Sequence, residues 1–238
     1  LLNLINDILD LSKIEAGRMI ANLAEVELQN IVINLENQFT HVARQKNIGF
    51  TIKPQEGIGM VITDQQRLEQ ILKNLLSNAI KFTGQGEVKL NISKSDEPME
   101  LRSKMYNPGE VLLFSVIDTG IGIEENKQAM IFEAFQQADG GLSRQYGGTG
   151  LGLTISRQIA ALLGGEIRLK SQLGEGSEFT LYLPINQTIT VGVNSPSVIP
   201  LKSADEKPVK EKPAPSLAKA PNSEASISPV ISSTVTDR

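Results

Sequence analysis

Two asparagines and a lysine on one helical face are the first residues here whose types and spacing suggest chemistry. In Asp64 to Thr83, DQQRLEQILKNLLSNAIKFT, the residues Leu68, Ile71, Leu72, Leu75, Leu76 and Ala79 recur at three- and four-residue spacing. They form a broad apolar stripe that must face a core, and Asp64 reads as the helix N-cap. At about 100° per residue, Arg67, Gln70, Asn74, Asn78 and Lys81 fall in a narrow row beside that stripe. A charged row at the edge of a buried face is ordinarily solvated. Asparagine, however, is a mediocre helix former that adds nothing to an exposed face. Amide oxygens four residues apart can instead coordinate a hard cation, with Lys81 beside them seeking a phosphate.

A second cluster follows the apolar run VLLFSVI: Asp118, then the tight turn Thr119, Gly120, Ile121, Gly122. A carboxylate at the end of a central strand can face a ligand, and the glycines let backbone approach closely. A turn closed by an Asx-type hydrogen bond is the alternative reading of the same residues. Further on, the glycine-rich ADGGLSRQYGG, residues 138–148, leads into GGTGLGLTI and a helix. Amides at a helix N-terminus attract phosphate through their unsatisfied donors and the helix dipole. Gly148, Gly150 and Gly152 recur at every second position, matching neither the dinucleotide G-x-G-x-x-G pattern nor a P-loop.

The elements that must carry these groups are legible in outline. Residues 23–28 suggest a short strand and 29–46 a helix with Ile31, Val32, Leu35, Phe39 and Val42 inward. Residues 48–52, 87–92, 111–117, 166–169 and 178–183 alternate or run apolar like strands. SDEPMELRSKMYNPG reads as a long polar hairpin loop, and 149–163 as a helix closed by Gly164. Such a series implies an α+β fold with a mixed sheet and helices on one face. At the N-terminus, Leu1, Leu4, Ile8 and Leu11 make a bundle seam or the buried face of a helix packed on its own domain. His41, the sole histidine, reads as a surface or hydrogen-bonded side chain.

Composition narrows the class. Residues 185–238 hold seven of the eleven prolines and no aromatic residue, and read as a disordered linker or tail. The tail carries a net charge of +1 and the remainder −5, so neither is a nucleic-acid surface by charge. There is no cysteine, hence no disulfide framework or cysteine-based zinc site. No apolar run approaches the ~20 residues that span a bilayer. The chain opens at Leu1, inside a helical pattern, so it reads as a fragment of something longer.

The wording NLLSNAIKFT closely resembles the N box of sensor histidine kinases, in the GHKL ATP-binding superfamily. DTGIGI resembles their G1 box, IFEAFQQ (Ile131 to Gln137) the F box, GGTGLGL the G2 box, and LGEGSEFTLYLP (Leu173 to Pro184) the closing hairpin. LINDILDLSKIEAG resembles the end of the second dimerisation helix. The resemblance implies a two-layer sandwich of mixed β-sheet and helices, the Bergerat ATP-binding fold, preceded by a helix remnant. Residues 1–21 would end the dimerisation helix, 22–184 would form the ATP-binding domain and 185–238 the linker or tail.

The same resemblance assigns roles. Asn78 would coordinate Mg²⁺ on the ATP phosphates, Lys81 would offset phosphate charge, Phe82 would pack near the nucleotide and Asp118 would read the adenine amino group. Gly120 and Gly122, then Gly148, Thr149, Gly150, Leu151 and Gly152, would line the nucleotide, with Arg144 on the γ-phosphate and Thr180 on the pocket floor. Phe132 and Phe135 would anchor the lid. In the ATP-hydrolysing relatives a glutamate stands where this chain has Asn74, an amide without useful basicity. Asn74 thus favours transfer to a protein histidine over rapid hydrolysis, and the resemblance implies Lys81 and Asn74 as the catalytic residues, both also contacting the nucleotide. The acceptor histidine would lie upstream of Leu1, on dimerisation helices of a homodimeric parent, so His41 is not the acceptor. A response-regulator receiver domain would take the phosphate, and the hybrid-type wording suggests one tethered beyond Arg238. The domain would be cytoplasmic, with any membrane anchor of the parent left open. The rival readings are a catalytically idle nucleotide-binding module, a serine kinase of the anti-sigma type and a true ATPase.

Overall fold

The computed structural model describes residues 2–136 and 150–185, and all structural statements below concern these. Helix α1 is Leu2–Glu15, strand β1 Ala24–Glu27 and helix α2 Leu28–Gln45. Strands β2 (Gly49–Pro54) and β3 (Met60–Thr63) precede helix α3, Gln65–Phe82. Strand β4 (Glu87–Lys94), the short β5 (Met99–Leu101) and β6 (Lys104–Tyr106), and β7 (Val111–Asp118) follow. Two 3₁₀ turns, Glu125–Lys127 and Met130–Phe132, lead towards helix α4, Gly152–Leu162, and the hairpin of β8 (Glu166–Gln172) and β9 (Gly176–Pro184).

Five strands form a mixed sheet in the order β2-β4-β7-β9-β8, with only the β2–β4 pair parallel. Strand alternation gives the sheet its two faces. In register order, Leu90, Val116, Phe179 and Leu169 point to one face, and that face meets Ile31 and Leu35 of α2, the α3 stripe, and Ile155 and Ile159 of α4. Leu68, Ile71, Leu72, Leu75 and Leu76 are all essentially inaccessible, so the apolar stripe is the centre of the core. A two-layer α+β sandwich results.

Asp64 caps α3 as its residue type predicts: its Oδ1 accepts the Arg67 N–H at 3.0 Å. The same carboxylate accepts the Asn22 N–H through Oδ2 at 2.8 Å, tying the segment after α1 to the start of α3. Leu11 and, after the helix, Met19 join the domain core, and Leu4 and Ile14 pack against it, so α1 lies on the domain along its length.

Three readings change. Val42 is 42% exposed, and Ala43 is buried in its place, because the α2 stripe runs through Leu35, Phe39 and Ala43 in steps of four. Met60–Thr63, too short to betray itself by alternation, pairs antiparallel with β1. The polar segment between β4 and β7 contains a ribbon of its own, β5 with β6, turned by Arg102 and Ser103 at positive φ. That ribbon is pinned by Arg102 Nη1, which donates to Ala161 O, and by Arg168 Nη2, which donates to Glu100 O.

Candidate functional site

The polar row of α3 divides along its length. Arg67 Nη1 pairs with Asp10 of α1 at 3.2 Å, and Gln70 Nε2 donates to the same carboxylate at 2.9 Å. One turn on, the Asn74 Nδ2–H donates to Ser156 Oγ of α4 at 2.9 Å. A Cβ on Gly152 would lie 2.3 Å from Asn74 Oδ1, so that glycine exists to let α4 close on the asparagine. The last turn carries Asn78 and Lys81. Asn78 is half-buried and makes no side-chain hydrogen bond among the described residues. The Lys81 ammonium lies 4.8 Å from the Phe82 ring centroid, and burial holds its pKa below the usual lysine range.

Asp118 ends β7 opposite Val88 on one side and Ser177 on the other. Its carboxylate is buried, and that burial raises its pKa, opposed by the amides of Gly120 and Ser177. The Gly120 N–H donates to Asp118 Oδ1 at 2.8 Å, so the Asx-type turn is present, and the Ser177 amide bonds the same carboxylate. Gly122 has φ +66° and a Cβ there would stand 1.9 Å from Gln172 O, two independent reasons for glycine.

At the other end of the site, Phe132 is buried edge-to-face on Phe179, at 6.3 Å between ring centroids. The Thr154 hydroxyl donates to Phe132 O, and the Phe135 N–H donates to Gly150 O, so the segments on either side of residues 137–149 are joined. Helix α4 begins with no side-chain cap among the described residues, its N-cap being Leu151. First-turn amides without a cap suit an anion.

Asn78, Lys81, Phe82, Asp118, Gly120, Gly122, Gly150 and Gly152 therefore lie on the C-terminal turn of α3, the end of β7 with its turn, and the start of α4. Arg144, Gly148 and Thr149 lie outside the described residues. Phe135 is 66% exposed and holds only through its backbone, so of the two phenylalanine rings Phe132 is the one in the core. Leu151 is fully buried and belongs to the core. Thr180 is not on the pocket floor. It pairs in register with Ser115 and bonds its hydroxyl and Glu178, on the sheet face opposite Asp118. Ser177, three residues earlier, stands on the Asp118 face and was missed. Ser177 is identifiable only through the register that sets it against Asp118, since β9 is buried on both faces and shows little alternation.

Residues 63–187 match the family model for histidine kinase-, DNA gyrase B-, and HSP90-like ATPases. The circadian input-output histidine kinase CikA of Synechococcus elongatus is 41% identical over 201 residues, 83% of this chain and 25% of the relative. The autoinducer 2 sensor kinase/phosphatase LuxQ of Vibrio vulnificus is 40% identical over 188 residues, 79% of this chain and 21% of the relative. The chain thus spans about a quarter or less of the length of these curated relatives. Among solved structures, full-length ShkA, crystallised in complex with AMPPNP, superposes with a TM-score of 0.66 at 32% identity, covering 79% of this chain and 36% of ShkA. The chain belongs to the histidine kinase-, DNA gyrase B-, and HSP90-like ATPase family, as an ATP-binding catalytic domain of the histidine-kinase kind.

Proposed function

We propose that this chain transfers the γ-phosphate of ATP to a histidine on a dimerisation helix, for relay to an aspartate of a response-regulator receiver domain. The observation that supports the reading is the approach of three separate segments: Phe82 at the end of α3 lies against Gly120 after β7, and Asn74, one turn before Asn78, lies against Gly152 at the start of α4. The last turn of α3 brings Asn78 and Lys81, the end of β7 brings a buried Asp118, and α4 brings uncapped amides.

In this reading Asp118 accepts a hydrogen bond from the adenine amino group, and the Gly120 and Gly122 turn lets the base lie against backbone. Lys81 offsets phosphate charge, Phe82 packs beside the nucleotide, and Gly150 with Gly152 lets the phosphates approach the α4 amides. Arg144, Gly148 and Thr149 are proposed to complete the phosphate side. Phosphoryl transfer demands mainly positioning and charge stabilisation, which this set can supply.

Magnesium fits the residues present. No group of three or more His, Cys, Asp or Glu side chains gathers among the described residues. Mg²⁺, however, is ordinarily held by one or two protein oxygens with substrate phosphates and water. The Asn78 amide oxygen would be the protein ligand, and the ion would supply charge neutralisation on the phosphates.

Asn74 is the group that separates transfer from hydrolysis. Its amide is engaged by Ser156 and closed over by Gly152, so no base stands one turn before Asn78 to activate water. The nucleophile is then proposed to be a histidine of the dimerisation helices, of which residues 1–21 form the end, with residues 185–238 as a linker. No helix among the described residues is long and apolar enough to cross a membrane.

Two measurements test the proposal. Asn78→Ala is expected to abolish Mg-ATP binding in calorimetry, and unchanged affinity would remove Asn78 from the metal role. The chain mixed with a separately made dimerisation segment and γ-labelled ATP with Mg²⁺ is expected to give acid-labile, base-stable label on that segment. ATP binding with no label on it would favour a nucleotide switch instead.

A further inference from the structure

Helices α2 and α3 run parallel, which is set by their cross-contacts: Asn34 meets Glu69, and Lys46 meets Lys81, each 35 residues apart in sequence. Parallel packing brings two helix C-termini, each with a partial negative charge, to the same place. That place is also where Lys81 leaves α3 to meet phosphate. Two negative helix ends beside a polyanion oppose its binding unless a cation stands between them.

Lys46 is that cation. It ends α2, where Asn47 at φ +55° turns the chain away towards β2. Its ammonium crosses to α3 and donates to Ile80 O at 2.8 Å and Lys81 O at 3.1 Å. These carbonyls belong to the final turn, and the next one, Phe82 O, lies where a Cβ on Gly120 would be, at 2.6 Å. The Gly120 amide in turn holds Asp118. A lysine on α2, remote from the ligand in sequence and in no motif, thus fixes the peptide units from which Lys81 and Phe82 project.

We propose that Lys46 is a positioning residue for the phosphate end of the nucleotide, acting through Lys81. It orders the last turn of α3 and offsets the negative ends of both helices. This inference rests on the nucleotide site proposed above.

The test is a double-mutant cycle on the 238-residue chain, read as Mg-ATP affinity by calorimetry with melting temperature as a control. Lys46→Met is expected to weaken Mg-ATP about fivefold, the scale of a charge at a helix end, while in a Lys81→Met background the same change has an effect below about twofold. Lys46→Arg, which keeps the charge and the donors, is expected to restore affinity to within about twofold. A merely structural lysine would lower the melting temperature and weaken binding equally in both backgrounds, and that additivity would overturn the inference. Unchanged affinity in Lys46→Met would do the same. Parent chain that binds no Mg-ATP would remove the nucleotide site itself, and this inference with it.

Discussion

Asp118 is the residue in which function and stability oppose each other most directly. Its carboxylate is buried and its pKa raised, so the folded state holds that proton more tightly than the unfolded chain does. Stability therefore falls as pH rises from the ordinary aspartate value, about 3.9, through the raised one. Asp118→Asn removes that titration while its amide oxygen can still accept from Gly120. The variant is expected to melt at or above the parent at pH 7, the difference shrinking as pH falls below about 4, and to bind ATP at least about tenfold more weakly. Differential scanning fluorimetry across pH with calorimetry in parallel checks both halves. A parent more stable than Asp118→Asn at pH 7 would show that the charge contributes to the fold.

At the scale of elements, the site depends on how closely three segments approach. Helix α4 reaches Asn74 only because Gly152 lacks a side chain, and the Asp118 turn reaches β8 only because Gly122 does. Gly152→Ala is expected to cost about 0.5–1.5 kcal/mol, since the atoms it meets are the end of the Asn74 side chain, which can turn aside, and to weaken nucleotide binding as Asn74 shifts. Gly122→Ala combines overlap with an unfavourable φ and is expected to cost at least as much. Urea titration of both variants gives the energies, and a change below about 0.5 kcal/mol in either would contradict the tight approach. These glycines were legible in the sequence as a pattern. Their partners, Asn74 and Gln172, were not, because the contacts join residues far apart in the chain.

On the scale of the whole molecule, α1 is attached to the domain through both polar and apolar contacts. Asp10 meets Arg67 and Gln70, the Asn22 amide meets Asp64, and Leu11 with Met19 adds apolar burial. Part-exposed ion pairs contribute about 1 kcal/mol or less, and a buried leucine more. A chain lacking residues 1–21 is expected to melt several degrees lower yet bind Mg-ATP within about threefold, since the ligand-facing turn of α3 lies at its other end. Loss of binding in that truncation, with the domain folded by circular dichroism, would show that α1 supports the site.

The sequence by itself determined the α3 helix, its cap at Asp64, its core stripe and the row beside it, because these rest on local periodicity and residue type. Its ordered motifs also name Asn78, Lys81, Asp118 and the glycines as candidates for one site. Tertiary structure alone decided how the polar row is shared, with Arg67 and Gln70 given to α1 and Asn74 to α4. It decided that Ser177 and not Thr180 faces Asp118, because β9 is buried on both faces and only its register with β7 distinguishes them. It decided the role of Lys46, since a lysine that caps another helix leaves no trace in its own segment. The difference is one of range: spacing along a chain fixes which residues share a face, and packing fixes what that face meets.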